Sequence, residues 1–158
     1  RNAAPPVNCR PQPSDERADV LLAYLKSQRA GERFLVALPT ATQAAPLIVR
    51  SGEAVMAMGG YLGLDPILQV ADLERMVAAR ELRFVMLGGA TIAPGDATAR
   101  QRALARWVRA HGRRVDSAQW RPQSAAPVAV DRERRAVAPL RLYDLRSSPV
   151  SAEAADGD

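Results

Sequence analysis

Few side chains in this 158-residue chain are of a type and spacing that does chemistry. The single histidine, His111, is the one imidazole available as a general base or triad member. Asp65 lies in Leu62-Gly63-Leu64-Asp65-Pro66. It either caps a turn through its carboxylate oxygen or serves as a sugar-binding or acid/base carboxylate. No second carboxylate stands at motif spacing from it, so the acid pair of a glycosidase is not legible. Glu53, beside Gly52, reads as a solvated turn residue. Gly59-Gly60 and Gly88-Gly89 each follow an apolar run. Such pairs either make tight turns or let a ligand approach the backbone closely. Gln43 offers both a donor and an acceptor, as a sugar hydroxyl does, and Thr42 adds a hydroxyl. With one Cys (Cys9, near the amino terminus) and one His, neither a disulfide framework nor a Cys/His zinc site is expected. No glycine fingerprint of a dinucleotide fold or P-loop is present, so no cofactor is expected either.

Composition sets wider bounds. The chain is 47% hydrophobic and 25% charged, as a folded globular domain is. No run of 18 or more apolar residues occurs, so nothing in it spans a bilayer as a helix. Arginine accounts for all the basic residues except Lys26, the net charge is +5, and the pI is about 10.3. That balance admits nucleic acid, anionic lipid or phosphorylated ligands as partners. Aromatic residues make up only 4%, which argues against base stacking and so against a nucleic-acid binder. Arg102, Arg106, Arg109 and Arg113 fall at helical spacing, as either a solvated face or a stripe that meets anionic lipid.

The elements that would carry these residues follow from pattern and punctuation. Residues 1–13, with four prolines, read as an extended linker without a start Met or an apolar leader. Residues 14–145 read as a single α/β domain, and residues 146–158 as a disordered polar tail. A helix opens at Ser14 and stops at Gly31. The apolar run 34–38 suits a buried strand. A helix runs from Thr40 to Arg50, with Pro46 tolerable only in its first turn, and stops at Gly52. Residues 54–58 and 83–87 give further strands, and Asp72 caps a helix over 73–80. The periodicity of Leu104, Trp107, Val108 and His111 predicts a helix over 97–110 with those four facing inward. Short strands follow at 113–116 and 140–145, while residues 121–138 resist assignment.

Strands separated by helices need crossovers, which predicts a three-layer α/β/α fold, flavodoxin- or Rossmann-like. Its mostly parallel sheet would have about five strands, in order 2-1-3-4-5, with the last as either a parallel or an antiparallel edge. Ligands of open α/β sheets bind outside the carboxyl ends of the strands. The expected ligand-binding residues there are Thr42, Gln43, Gly60, Asp65 and Gly89, lining a shallow polar pocket.

A longer pattern is more specific than any of these features. It comprises Gln43-Ala44-Ala45-Pro46-Leu47-Ile48-Val49 and Ser51-Gly52-Glu53-Ala54-Val55-Met56-Ala57-Met58-Gly59-Gly60-Tyr61-Leu62-Gly63-Leu64-Asp65-Pro66. Phe34 to Leu38, Arg83-Phe84-Val85-Met86-Leu87-Gly88-Gly89, Trp107-Val108-Arg109-Ala110-His111-Gly112 and Leu142-Tyr143-Asp144-Leu145 extend it. The whole resembles the C-terminal soluble domain of bacterial protein-mannosyltransferase-like (dolichyl-phosphate-mannose-protein mannosyltransferase-related) membrane glycosyltransferases, over residues 18–120 and 140–145. Two departures stand out: the stretch from Ala90 to Asp96 is short where the family has a longer Gly/Ser-rich one, and Ser51-Gly52 replaces Thr-Gly.

The resemblance implies a parent enzyme with many membrane spans that takes sugar from a polyprenyl-phosphate donor. The parent's catalytic acidic residues belong to its membrane part, so none carries over to a position here. This chain would then be a non-catalytic accessory module, binding or regulatory, on the extracytoplasmic face of the bacterial cell membrane. Its expected partners are the membrane-embedded part of the same polypeptide and a glycan, acceptor or polyprenyl-phosphate sugar. The rival reading is a free-standing small α/β enzyme, such as a hydrolase using Asp65 with His111.

Overall fold

The computed structural model describes residues 13–89, 96–122 and 138–146. The expected linker (apart from Pro13), the loop at 91–95, most of 121–138 and all of the tail beyond Arg146 lie outside those residues. The elements are α1 (Pro13–Gln28), β1 (Ala37–Leu38), α2 (Ala41–Ser51), β2 (Met56–Ala57), α3 (Val70–Ala78), β3 (Phe84–Gly89), α4 (Asp96–His111), β4 (Arg113–Arg114), a 3-10 turn (Ser117–Gln119) and β5 (Ala138–Asp144).

The helix signals were read nearly in place. Thr40 caps α2, its hydroxyl accepting from the Gln43 N–H, and Gly52 closes the helix in the left-handed region, donating to the Ile48 carbonyl at 2.8 Å. Three expectations need correction. Ser14 is not a cap: α1 already begins at Pro13, whose missing amide proton is no loss in a first turn. Pro46 sits in the second turn of α2, not the first. It removes the N–H that would bond the Thr42 carbonyl, one hydrogen bond near an exposed helix end, and the helix continues through it. Asp72 lies inside α3 and reaches back to accept from the Gln69 N–H at 3.0 Å, so the helix starts three residues earlier than expected.

The five strands form one mixed sheet in the order β2-β1-β3-β5-β4. β1 pairs parallel with β2 and β3, and pairing around the short ladders extends from the Leu35 N–H on Ala54 to the Met58 N–H on Leu38, both 2.8 Å. The other half is antiparallel. β5 pairs with β3 from Phe84↔Asp144 to Gly89↔Ala138, and β4 pairs with β5. The expected order 2-1-3-4-5 therefore fails at its end, because β5 inserts between β3 and β4 instead of forming an edge. Hydrophobic pattern shows that a strand is buried but not which neighbour it pairs with.

Alternation along β3 divides the core. Phe84 and Met86 pack with Leu21, Leu22 and Leu25 of α1 and Ala44 and Leu47 of α2. Val85 and Leu87 pack with Leu73 of α3 and Leu104 and Val108 of α4. Each helix thus buries its apolar stripe against one side of the central strand.

Candidate functional site

Because β1, β2 and β3 run parallel, their carboxyl ends share one edge of the sheet. The chain turns there into α2, the loop 59–67 and the glycine pair at the end of β3. Backbone bonds close this edge. The Ala41 N–H donates to Gly60 O at 2.7 Å, fastening the start of α2 to the first glycine pair. The Gln43 side-chain amide donates to Gly88 O at 3.2 Å, fastening α2 to the second. Gln43, Gly60 and Gly89 are thereby brought to a common edge.

Each expected site residue has a definite setting. The Thr42 side chain is exposed, and its hydroxyl shares a 2.8 Å hydrogen bond with the buried Thr40 hydroxyl. The Gln43 Oε1 is buried and has no hydrogen-bond partner among the described residues, although its amide nitrogen is engaged. A buried carbonyl without a donor costs about 1–3 kcal/mol, so this acceptor is held ready at a price in stability. Gly60 has φ +70°, and a Cβ there would lie 1.8 Å from the Asp65 carboxylate. Only glycine meets both demands. Gly89 ends β3 just after an irregularity in its pairing with β5.

Asp65 is exposed, and its turn is held by main chain: its N–H donates to Gly59 O at 3.0 Å and its carbonyl accepts from the Ile67 N–H at 2.9 Å. The carboxylate caps nothing. Among the described residues it accepts no hydrogen bond and forms no ion pair. The two alternatives left open for Asp65 thus part company, since the turn forms without its side chain.

Several contributors were not legible beforehand. Arg100 of α4 donates to Asp65 O at 2.6 Å, and Gln101 donates to Gly63 O, so the first turns of α4 clamp the loop 59–67. Nothing local announces these bonds, which join residues 35 to 38 positions apart. Tyr61, Leu62, Leu64 and Ile67 stand exposed on the same loop, Tyr61 at 70% and Ile67 at 59%. Their signal was present, because four large apolar residues in a turn-forming stretch have no core to enter.

His111 does not face inward. It is exposed at the last position of α4, with Nδ1 2.9 Å from the Trp107 carbonyl and its ring stacked on Trp107 at 4.5 Å between centroids. Arg100, which holds the Asp65 loop, is eleven residues earlier on the same helix, about 16 Å away at 1.5 Å per residue. Asp65 and His111 therefore sit at opposite ends of α4 and form no acid–base pair. The arginine stripe is also shorter than its spacing suggested, because Arg113 belongs to β4.

What remains at the edge, among the described residues, is two unengaged acceptors, Gln43 Oε1 and the Asp65 carboxylate, with the Thr42 hydroxyl beside them. Such a set can accept hydrogen bonds from a polyhydroxylated ligand. It holds no nucleophile paired with a base. Among the described residues, no cluster of three or more His, Cys, Asp or Glu side chains could hold a metal ion, and no helix is long and apolar enough to cross a membrane.

Comparison with known proteins gives this edge a context. The chain is 31% identical over 122 residues to "Putative mannosyltransferase YycA" of Bacillus subtilis (strain 168), an alignment covering 77% of this chain and 17% of that protein. It is 29% identical over 104 residues to "Putative mannosyltransferase YkcB" of the same organism, covering 66% of this chain and 14% of the relative. The chain thus spans less than a fifth of the length of the curated relatives it matches. No solved structure matches it. The family described as "Putative mannosyltransferase YkcB-like, C-terminal" matches residues 21–111, a stretch running from the buried face of α1 through the glycine turns and the clamped loop to the end of α4. With the framework of the edge lying inside that match, the chain belongs to the family of YkcB-like mannosyltransferase C-terminal domains.

Proposed function

We propose that this chain is a recognition module of a membrane glycosyltransferase that uses a polyprenyl-phosphate sugar donor, and that it lies on the extracytoplasmic face and does no chemistry itself. We read the two helix pairs as outer layers of a three-layer α/β/α, Rossmann-like arrangement that presents the glycine-lined edge. Family membership supports the glycosyltransferase context. The observation that carries the recognition role is the buried, unpartnered Oε1 of Gln43 beside an unengaged Asp65 carboxylate. Two acceptors without donors among the described residues suit sugar hydroxyls, and Gly60 and Gly89 lie on the same edge. The exposed Tyr61, Leu62, Leu64 and Ile67 border this edge, and an apolar group of that kind marks an interaction surface. We assign it to contact with the membrane-embedded part of the parent polypeptide.

Titration of the 158-residue chain with mannose-containing oligosaccharides tests the site. Gln43→Ala and Asp65→Ala are expected to weaken binding while leaving the melting temperature nearly unchanged. Undiminished binding in both variants removes the assignment of these residues. Turnover of a polyprenyl-phosphate mannose by the isolated chain, lost in Asp65→Asn, removes the non-catalytic role.

A further inference from the structure

At the other flank of the sheet lies a second feature of different chemistry. β4 and β3 are both antiparallel to β5, so β4 runs parallel to β3 and delivers the chain to the same carboxyl-terminal edge. The first residues of β5 are there too, with Arg141 opposite Leu87 and Ala138 opposite Gly89. Between them is an open cleft of about 90 Å³ lined in part by Arg114, Ser117, Trp120, Arg121, Leu140 and Arg141. That is far below the roughly 300–1,000 Å³ of a pocket for a drug-sized ligand, but suits a single compact polar group.

The charge in this cleft is one-sided. Among the described residues, none of Arg17, Arg114, Arg121 and Arg141 forms an ion pair with a carboxylate, whereas Arg29, Arg50, Arg75, Arg83 and Arg146 each do. Asp116, the acidic residue closest in sequence, is occupied in accepting from the Ala118 N–H at 3.0 Å. Burial lowers the Arg121 pKa, and the nearby positive charges of Arg17 and Arg114 lower it further, so the cations are close enough to repel one another. Arg121 is nevertheless held in place. Its guanidinium lies 4.5 Å over the Trp120 ring and donates to the Leu140 carbonyl. Trp120 is itself buried, and its indole N–H has no acceptor among the described residues. An arginine fixed by stacking, beside cations that no carboxylate of the described residues compensates, is preorganised for an anion. A tetrahedral oxyanion matches the planar fork of donors that guanidinium presents.

We propose that the cleft lined by Arg114, Arg121 and Arg141 binds a phosphate group, carried either by a lipid headgroup or by a soluble phosphate. This site stands independently of the glycan reading and shares no residue with it. Because Arg114 and Arg141 are exposed, replacing them leaves the core intact.

The test uses the 158-residue chain, inorganic phosphate, and vesicles of phosphatidylcholine with or without phosphatidylglycerol. The two tryptophans give separate indole N–H resonances. Phosphate is expected to shift that of Trp120 and leave that of Trp107, stacked on His111, in place. Charge-assisted hydrogen bonds are among the strongest a protein makes, so Arg114→Gln with Arg141→Gln should weaken binding by at least about tenfold. Arg106→Gln with Arg109→Gln, which keeps the cleft and removes the same charge, should change it little. Binding to phosphatidylglycerol vesicles that inorganic phosphate competes away assigns the headgroup as source, while phosphate binding without vesicle binding assigns a soluble one. The proposal is overturned if neither probe binds, if the Trp120 resonance does not respond, or if the Arg106/Arg109 variant loses as much binding as the cleft variant.

Discussion

The two ends of this sheet are built on opposite principles. At the amino-terminal end, charges are matched and nearly sealed. Arg83 meets Asp144 through two hydrogen bonds of 2.9 and 2.7 Å, with side chains only 11% and 9% exposed, and the pair joins the first residues of β3 to the last of β5. The Arg83 guanidinium also lies 4.6 Å over the Phe84 ring. Arg146 donates its backbone N–H to Asp144 and its guanidinium to the buried Glu32, and Arg29 pairs with Glu53 at 2.7 Å. At the carboxyl-terminal end, glycines turn the chain, and among the described residues an amide carbonyl is buried without a donor, a carboxylate is unengaged, and Arg121 and Arg141 have no carboxylate partner. Satisfied polar groups hold a structure together, and unsatisfied ones at a surface are available for binding. The amino-terminal end contributes stability through matched charges, and the carboxyl-terminal end is where open α/β sheets bind ligands and where we propose recognition.

The largest effect is expected at Asp144. Asp144→Asn leaves Arg83 largely buried without its partner, which should cost about 3–5 kcal/mol in urea unfolding. A loss below about 1 kcal/mol, the scale of a surface ion pair, would show that this end is no more tightly wired than the other.

Next in size is Gly60→Ala. The left-handed backbone there costs a residue with a Cβ about 1–2 kcal/mol, and the new methyl must displace the Asp65 carboxylate. Stability should fall by that amount, and a crystal structure of the variant should show Asp65 moved. Unchanged stability would mean that the turn is not held in this conformation.

Acid should distinguish the two ends as well. Burial raises the Asp144 pKa, but the Arg83 hydrogen bond, the Arg146 N–H and the charges of both arginines more than offset it, and the net shift is downward. Glu32 also shifts down, with burial opposed by backbone N–H groups and Arg146. A carboxyl lowered in the folded state contributes stability above its unfolded pKa and loses it as pH falls through the folded one. Stability should therefore hold near neutrality and decline as pH drops from about 5 towards 2, and Asp144→Asn should flatten that decline. An identical decline in the variant would remove Asp144 from its cause.

The smallest effect is expected at Gln43. Gln43→Ala loses one hydrogen bond to Gly88 but also removes an unsatisfied buried carbonyl, so stability should change by less than about 1 kcal/mol. A larger loss would place Gln43 among the structural residues and weaken its assignment to recognition.

Local rules account for the elements legible in the residues alone. Thr40 and Gly52 delimit α2 because a hydroxyl cap and a left-handed glycine act within a few residues. Phe84 to Leu87 are apolar throughout because a central strand is covered on both faces, and the parallel run of β1, β2 and β3 follows from the crossover helices between them. Together these place Gln43, Gly60 and Gly89 on one edge of the sheet. Tertiary structure alone decided the rest. Strand order around β5 depends on pairings between residues distant in sequence, from Arg114 with Tyr143 to Phe84 with Asp144, which periodicity does not encode. Asp65 and His111 became separated only when α4 was laid along the loop, with Arg100 at one end and His111 at the other. The ion pair of Arg83 with Asp144 and the cluster of Arg114, Arg121 and Arg141 likewise bring together charges that read as scattered along the chain. Residue types and spacing fix which elements form, because those forces are local; which charges end up matched and which unmatched is settled only when distant elements pack against one another.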